Sequence, residues 1–214
     1  TGTHEVFFAG GESGRLRLED GTVIWLNACS SLEYPARFGE ETREVYLEGE
    51  AYFNVSEKGG QPFIVHAGGA RINVLGTAFN ASAYNGEEVV VSLDEGEVVF
   101  SVNSRASNKD ISLSPGEQIT YDPVNYSYSL ERMDTRKASM WRSGVLLFED
   151  KPLSDIVKQL ERNYDVEIQV TNEALLSIRY TGAFENEDIE TILNVLSEVT
   201  PMSFYKGANG YVVR

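Results

Sequence analysis

Two glutamates on one predicted strand are the first residues whose types and spacing could do chemistry. Glu48 and Glu50 lie two positions apart in V-Y-L-E-G-E-A-Y-F-N-V, residues 45–55, so their side chains share one face of a strand. Two neighbouring carboxylates can act as general acid and general base in a hydrolase. A solvated strand face in an acidic protein explains the pair without catalysis, and the sequence favours this interpretation.

Metal and nucleophile chemistry has little support in the sequence. His4 and His66 are the two histidines, Cys29 is the single cysteine, and no H-x-H, H-E-x-x-H or Cys/His cluster occurs. A histidine-based metal site is therefore not expected. A small thiol in an apolar strand, such as Cys29, is more often a core residue than a nucleophile. With no G-x-S-x-G, P-loop or Rossmann motif either, we predict no enzymatic activity and no cofactor.

Aromatic side chains offer a possible surface for sugars. Tyr46 and Tyr52 share the polar face of the same predicted strand, and Trp25 and Trp141 add large rings elsewhere. Aromatic faces pack well against pyranose rings, so a carbohydrate-binding β module is the alternative function. Tyrosines are also common on exposed strand faces through β-propensity alone, which leaves the platform a hypothesis.

The charge of the chain argues against nucleic acid as a partner. The net charge is −15. Residues 1–125 carry 8 basic and 19 acidic side chains, and residues 126–214 carry 10 basic and 14 acidic ones, so both parts are acidic. Because phosphate would be repelled by such a surface, we predict no nucleic-acid binding.

The strand that positions the glutamates and tyrosines has one apolar face. Its apolar residues fall on odd positions, and they are Val45, Leu47, Ala51, Phe53 and Val55. Gly49 keeps that parity, which predicts a bend or bulge through which the strand continues. We expect the rest of the chain to be organised around this strand.

The alternation recurs along the chain and is cut at intervals by acidic-Gly or Pro-Gly corners. Short strands separated by such turns predict an all-β domain over residues 1–125, which we expect to be a β-solenoid or β-roll. The polar residues 103–110 are predicted as a loop. Residues 126–140 are predicted as a linker to a second domain over residues 141–214.

The predicted second domain contains a repeat at an offset of 36 residues. Each copy carries apolar residues with the spacing of one helix face, namely Leu153, Ile156, Val157 and Leu160 in the first and Ile189, Ile192, Leu193 and Leu196 in the second. Strand-like alternations flank both helices. The sequence therefore predicts a small α+β domain made of a duplicated β-α-β unit with one shared core.

Several segments resemble the FecR family of ferric-citrate-type regulators. They include L-E-D-G-T-V-I-W-L-N-A (18–28), R-E-V-Y-L-E-G-E-A-Y-F-N-V (43–55), V-L-G-T-A-F-N (74–80) and L-S-P-G-E-Q (113–118). Residues 141–168 are similar to the C-terminal domain of the same regulators. The duplicated unit also looks like the short N-terminal docking domains of secretins and TonB-dependent receptors.

The resemblance implies the periplasmic portion of a single-pass inner-membrane anti-sigma factor. Such a protein receives a signal from the signalling domain of a TonB-dependent outer-membrane transducer. It relays the signal to an extracytoplasmic-function sigma factor, through a cytoplasmic segment that this sequence lacks. The start at Thr1 without Met, and the absence of a leader or membrane span, lead us to expect a piece of a longer protein.

One strand of the second domain is the candidate contact for the transducer. Its residues mix polar and aromatic side chains with a glycine at which another backbone could approach, and they are Ile178, Arg179, Tyr180, Thr181 and Gly182. An unpaired edge here would accept an incoming strand by β-augmentation. An interior strand of the domain's own sheet is the alternative.

Overall fold

The computed structural model describes residues 2–103 and 108–214. The chain divides into two compact units. The first consists of Thr1–Phe8 and Ser13–Ser139, and the second consists of Ala9–Glu12 and Met140–Arg214. The division between Ser139 and Met140 lies one residue from the predicted start of the second domain at residue 141.

The first unit contains a single 13-stranded sheet that curls into half of a barrel. Its strands are β1 (Thr3–Phe8), β2 (Gly14–Arg17), β3 (Val23–Leu26), β4 (Ser30–Pro35), β5 (Arg43–Asn54), β6 (Phe63–Ala67), β7 (Ala70–Val74), β8 (Ala78–Ala83), β9 (Val89–Glu95), β10 (Val98–Asn103), β11 (Asn108–Leu113), β12 (Glu117–Asp122) and β13 (Ser127–Arg132).

The long strand β5 is shared by both halves of this sheet. Its first half pairs antiparallel with β4 and parallel with β6, which leads on to β7, β10 and β11. Its second half pairs antiparallel with β3 and β8, which leads on to β9, β12 and β13. The two halves enclose the core, so β5 is the element through which both are connected.

The prediction that the strand runs through Gly49 is confirmed, because β5 extends from Arg43 to Asn54. Gly49 has a φ of 95°, a conformation that a residue with a Cβ adopts only at a cost. A Cβ added here would lie 2.3 Å from the hydroxyl oxygen of Ser30. Glycine is therefore required both by the backbone and by the close approach of β4.

The core between the two halves is built from the alternating apolar positions of the strands. Phe53 on β5 is fully buried, stacks on Phe79 with ring centroids 4.9 Å apart, and meets Phe63 edge to face at 6.3 Å. Full burial of one such side chain contributes about 1.5–3 kcal/mol. The burial of the odd-numbered residues of β5 follows from the period of two that the sequence displays.

Three expectations for the first unit are not confirmed. The solenoid is not confirmed, because the strands pair mostly antiparallel in one curled sheet and do not stack in successive coils. Within the expected linker, residues 126–140, strand β13 pairs with β12 and so extends the sheet. Of the expected loop, residues 103–110, positions 104–107 lie outside the described residues, and the positions beside them belong to β10 and β11.

The second unit packs two helices with two small sheets. Its elements are β14 (Val145–Pro152), α1 (Leu153–Tyr164), β15 (Glu167–Val170), β16 (Arg179–Glu185), α2 (Ile189–Val199), β17 (Phe204–Lys206) and β18 (Gly210–Val213), with 3-10 turns at Thr135–Ser143, which begins in the first unit, and Glu173–Ser177. Strands β14 and β16 form one sheet, and β15, β18 and β17 form the other in that order.

Local sequence explains where the helices begin and end. Pro152 precedes α1, where its fixed φ suits the start of a helix, and Asp165 with a φ of 51° ends it. The carboxylate of Asp188 accepts a hydrogen bond of 2.9 Å from the backbone N–H of Thr191 at the start of α2. That bond contributes to the lowered pKa of the Asp188 carboxyl, because it favours the charged form.

The duplication of a β-α-β unit is not confirmed, although the order of elements repeats. Strands β14 and β15 lie in different sheets, and β18 separates β15 from β17. The predicted helix faces do share one core: Ile156, Leu160, Ile192 and Leu196 are fully buried, and Ile189 packs partly buried against the same cluster. Helical periodicity therefore identified the buried side chains, but not the strand pairing.

We expect Leu160→Ala or Leu196→Ala to lower the free energy of unfolding by about 2–5 kcal/mol, because each leaves a cavity in the second core. Val199→Ala on the exposed side of α2 is the matched control, with an expected change of about 0.5 kcal/mol or less. Urea unfolding of the whole chain measures both. Equal and small changes in the leucine and valine variants would contradict the assigned helix faces.

Candidate functional site

The predicted docking strand lies mainly in β16, with Ile178 just before it. β16 pairs with β14 along one edge, and within residues 2–103 and 108–214 its other edge has no partner strand. The backbone N–H of Asn186, just after β16, donates to the carbonyl of Gly144, just before β14. The backbone N–H and C=O groups of Asn186 therefore point towards β14. Since this orientation alternates along a strand, Ala183 and Glu185 direct their N–H and C=O groups to the open edge.

The polar side chains of this strand hold an irregularity in β14. Asp150, with a φ of 46°, lies where the register between the two strands shifts. Nε of Arg179 lies 2.8 Å from the Asp150 carboxylate, and the guanidinium also donates to the Asp150 carbonyl. The backbone N–H of Asp150 donates to the hydroxyl of Thr181 at 2.8 Å. Arg179 and Thr181 therefore help to shape the bulge.

A neighbouring ring fills the space beside the glycine of this strand. Tyr180 stacks on Phe184 with centroids 6.1 Å apart, and its ring passes over Gly182. A Cβ on Gly182 would lie 2.3 Å from the hydroxyl oxygen of Tyr180. The expectation that Gly182 leaves space for another backbone therefore needs correction, because the space holds the chain's own tyrosine. Ile178 is half-buried, and its carbonyl accepts a bond from Leu153.

The two tyrosines of the proposed sugar platform are separated. Tyr46 lies on the first half of β5, is 51% exposed, and stacks on His66 with centroids 4.6 Å apart. Tyr52 lies on the second half, is buried, meets Trp25 edge to face, and donates a 3.0 Å hydrogen bond to Asp94. They pair with different strands and do not form one platform, so the geometry does not support the carbohydrate-binding module.

The two glutamates are separated in the same way. Glu48 is exposed, whereas Glu50 accepts hydrogen bonds from the side-chain amides of Asn27 at 2.8 Å and Asn80 at 2.9 Å. The bend at Gly49 lies between them, and Glu50 links β5 to β8 and to the segment after β3. The arrangement therefore uses Glu50 as a structural acceptor.

A shallow groove of about 620 Å³ lies on the outer face around the first half of β5. Its walls include Glu33, Tyr46, Glu48, His66 and Arg71. The carboxylates in its lining come from three strands and belong to Glu5, Glu33 and Glu48. One histidine and one arginine are the other ionisable side chains of the lining besides Tyr46. Among the described residues, no group of three or more histidine, cysteine, aspartate or glutamate side chains could hold a metal ion.

One carboxyl beside this groove has a perturbed pKa. Nε2 of His66 lies 2.9 Å from a carboxylate oxygen of Glu44, and this hydrogen bond holds the pKa of Glu44 below its ordinary value. Partial burial acts in the opposite direction, and a hydrogen bond from Thr42 adds to the lowering of the pKa.

Of the remaining candidates, Cys29 is half-buried in the turn after β3 with a φ of 53°.

Arg43 is the important residue that the sequence argument missed. Its side chain is fully buried and forms an ion pair of 2.7 Å with Asp20, whose side chain is also fully buried. It also donates to the carbonyls of Ser56 at 2.7 Å, Gln61 at 2.8 Å and Leu75 at 3.1 Å. The parity of β5 could have revealed it, because Arg43 falls on the odd, buried face of the strand.

Two family models match the chain in tandem. The model described as FecR protein matches residues 5–99, most of which lie in the first unit, and the model described as FecR, C-terminal matches residues 145–213, in the second. Together they cover more than half of the chain. The chain belongs to the FecR family.

Solved structures similar to this FecR-family chain cover both units. Two crystal structures of a predicted anti-sigma factor from Parabacteroides distasonis ATCC 8503, at 2.50 and 1.65 Å resolution, match it with a TM-score of 0.90 and 33% sequence identity. Each match covers 99% of this chain and 98% of the other. No curated protein matches the chain.

In the described portion of this FecR-family chain, no helix has both the length and the apolar character that are needed to cross a membrane.

We expect His66→Phe to raise the pKa of the Glu44 carboxyl towards its ordinary value, because phenylalanine keeps a ring beside Tyr46 but removes the hydrogen bond. In the wild type, the stability that this bond contributes is present at neutral pH and is lost as the pH falls through the lowered pKa. Carbon-detected NMR titration of the glutamate carboxyls measures the change. Tyr46→Phe is the control and should leave the pKa unaltered. An equal pKa in wild type and His66→Phe would refute the assigned cause.

Proposed function

We propose that this chain is the periplasmic sensor region of a membrane-anchored anti-sigma factor. It receives a signal from a TonB-dependent outer-membrane transducer and passes it to an extracytoplasmic-function sigma factor through a segment outside this chain. The observation that carries the proposal is the pair of FecR family matches in tandem, with the similarity of the whole chain to a predicted anti-sigma factor.

The contacts of the chemically capable residues support a regulator that recognises proteins. Glu50, Tyr52 and Arg43 are engaged in hydrogen bonds that join strands of the first unit. What the second unit offers to a partner is main chain at an open sheet edge. Main-chain groups bind an extended peptide strand through a regular ladder of hydrogen bonds, so this edge suits a protein partner.

The partner contact is proposed at the open edge of β16. The candidate residues of the sequence argument remain part of it: Arg179 and Thr181 are exposed, and Ile178 and Tyr180 pack partly buried against the second core. Gly182 lies beside the Tyr180 ring. An incoming strand of the transducer's signalling domain would bond to outward-facing main-chain groups such as those of Ala183. Residues 126–214 also carry less net negative charge, which lessens repulsion of an acidic partner.

We expect Ala183→Pro to weaken binding of a transducer signalling domain by about tenfold or more, because proline removes an N–H that faces the open edge. The bonds between β16 and β14 do not use this N–H, so the variant should fold. Isothermal titration of the whole chain with the signalling domain measures the affinity. Ala183→Ser keeps the N–H at the same position and should bind like the wild type.

Two results would separate the parts of this proposal. Equal affinities for folded Ala183→Pro and the wild type would overturn the β16 contact. The proposed function would be overturned if the wild-type chain bound none of the signalling domains of the TonB-dependent transducers encoded in the same genome. The whole chain is the right material, because Ala9–Glu12 group with the second unit and would be lost if the chain were cut between the units.

A further inference from the structure

Exposed apolar side chains are concentrated in one hairpin of the first unit. Among the described residues, nine large apolar side chains are exposed, and four of them lie within residues 124–130. They are Val124 at 79%, Tyr126 at 66%, Tyr128 at 38% and Leu130 at 42%. Lys109 on β11 lies 4.6 Å from the ring centroid of Tyr128 and covers part of that ring.

The hairpin ends in β13, an open edge strand whose first four residues are uncharged. Four strands of the large sheet have one unpaired edge in the described part of the chain, namely β1, β2, β11 and β13. Charged residues, which discourage edge-to-edge pairing, lie inside β1 (Glu5), β2 (Arg15) and β11 (Asp110), whereas those of β13, Glu131 and Arg132, are its last two residues. The first four residues of β13 are S-Y-S-L, with no charge and no proline, so its edge is free to pair.

The backbone of β13 presents a regular set of hydrogen-bonding groups. The N–H of Met133 donates to the carbonyl of Gly116 in the register of the β12–β13 pair. Because inward and outward groups alternate along the strand, Ser129 and Glu131 face β12, whereas Tyr128 and Leu130 direct their N–H and C=O groups outward. The same residues that expose apolar side chains therefore expose unpaired main chain.

We propose that β13 pairs antiparallel with β13 of a second copy of this chain, about a two-fold axis that passes beside Ser129. In this register the outward groups of Tyr128 bond to those of the partner's Leu130, and the reverse pair is identical, as an isologous interface requires. Each pair also brings a tyrosine ring against a leucine side chain. The edge strand is thus complementary to itself.

Charge favours a second copy as the occupant of this edge. The whole chain has a net charge of −15, so most surfaces of two copies repel each other. Residues 124–132 contain one glutamate and one arginine and are neutral. In the proposed register Glu131 faces the partner's Ser127, and Arg132 lies beside the turn that contains the partner's Tyr126. Two acidic molecules can therefore approach each other here.

Analytical ultracentrifugation of the whole chain tests the proposal. We expect a reversible dimer, and we expect Leu130→Lys to weaken self-association by about tenfold or more, because lysine on an edge opposes pairing. Leu75→Lys is the matched control, since Leu75 is exposed to a similar extent (49%) and lies outside the edge strands. A wild-type chain that stays monomeric up to about 1 mM would overturn the proposal. Unchanged dimerisation of Leu130→Lys would also overturn it.

Cysteine substitution tests the register independently of affinity. Ser129 would lie opposite the partner's Ser129 in a pair without mutual hydrogen bonds, with Cα atoms about 4.5 Å apart, which a disulfide can span. Ser127 would lie roughly 13 Å from the partner's Ser127. We expect Ser129→Cys, and not Ser127→Cys, to give an intermolecular disulfide on a non-reducing gel. Cross-linking of Ser127→Cys alone, or of neither variant, would overturn the proposed pairing. Cys29 is common to both variants and to the wild type.

Discussion

The guanidinium of Arg43, buried at the start of β5, holds together four segments of the first unit. It pairs with Asp20 in the turn after β2 and donates to carbonyls in the segments that follow β5, precede β6 and follow β7. A buried charge is tolerated only when it is paired and hydrogen-bonded. These segments must therefore keep their places around one end of β5, the strand that both halves of the sheet share.

This framework explains why Glu48 and Glu50 have different surroundings, and why Tyr46 and Tyr52 do as well. Gly49 bends β5 between its two halves, so Glu48 and Tyr46 lie on one side and Glu50 and Tyr52 on the other. Glu50 accepts hydrogen bonds from asparagine amides, and Tyr52 donates one to Asp94. The main-chain edges of β13 and β16 remain open among the described strands, and edges of this kind serve protein recognition.

The sequence predicted the features that depend on local periodicity. Alternation predicted β5 and its buried face, and helical spacing predicted the buried faces of α1 and α2. Local periodicity does not predict which distant segments come together. Tyr52 is buried because Trp25 and Asp94, from elsewhere in the chain, contact it. Strand β18 pairs parallel with β15 across a long separation in sequence. The solenoid was expected because regular turns fix strand lengths, but they do not fix strand neighbours. Arg43 falls on the face of β5 that alternation predicts to be buried, but the four groups that accept its hydrogen bonds come from distant segments.

The stability of Arg43→Lys, measured by urea unfolding of the whole chain, tests whether Arg43 organises the first unit. Lysine keeps the positive charge, but it lacks the planar set of donors that reaches acceptors in four segments. If Arg43 organises the first unit through this geometry, the free energy of unfolding should fall by on the order of 3 kcal/mol or more. A free energy of unfolding within about 0.5 kcal/mol of the wild-type value, the range of ordinary surface substitutions, would contradict this role of Arg43.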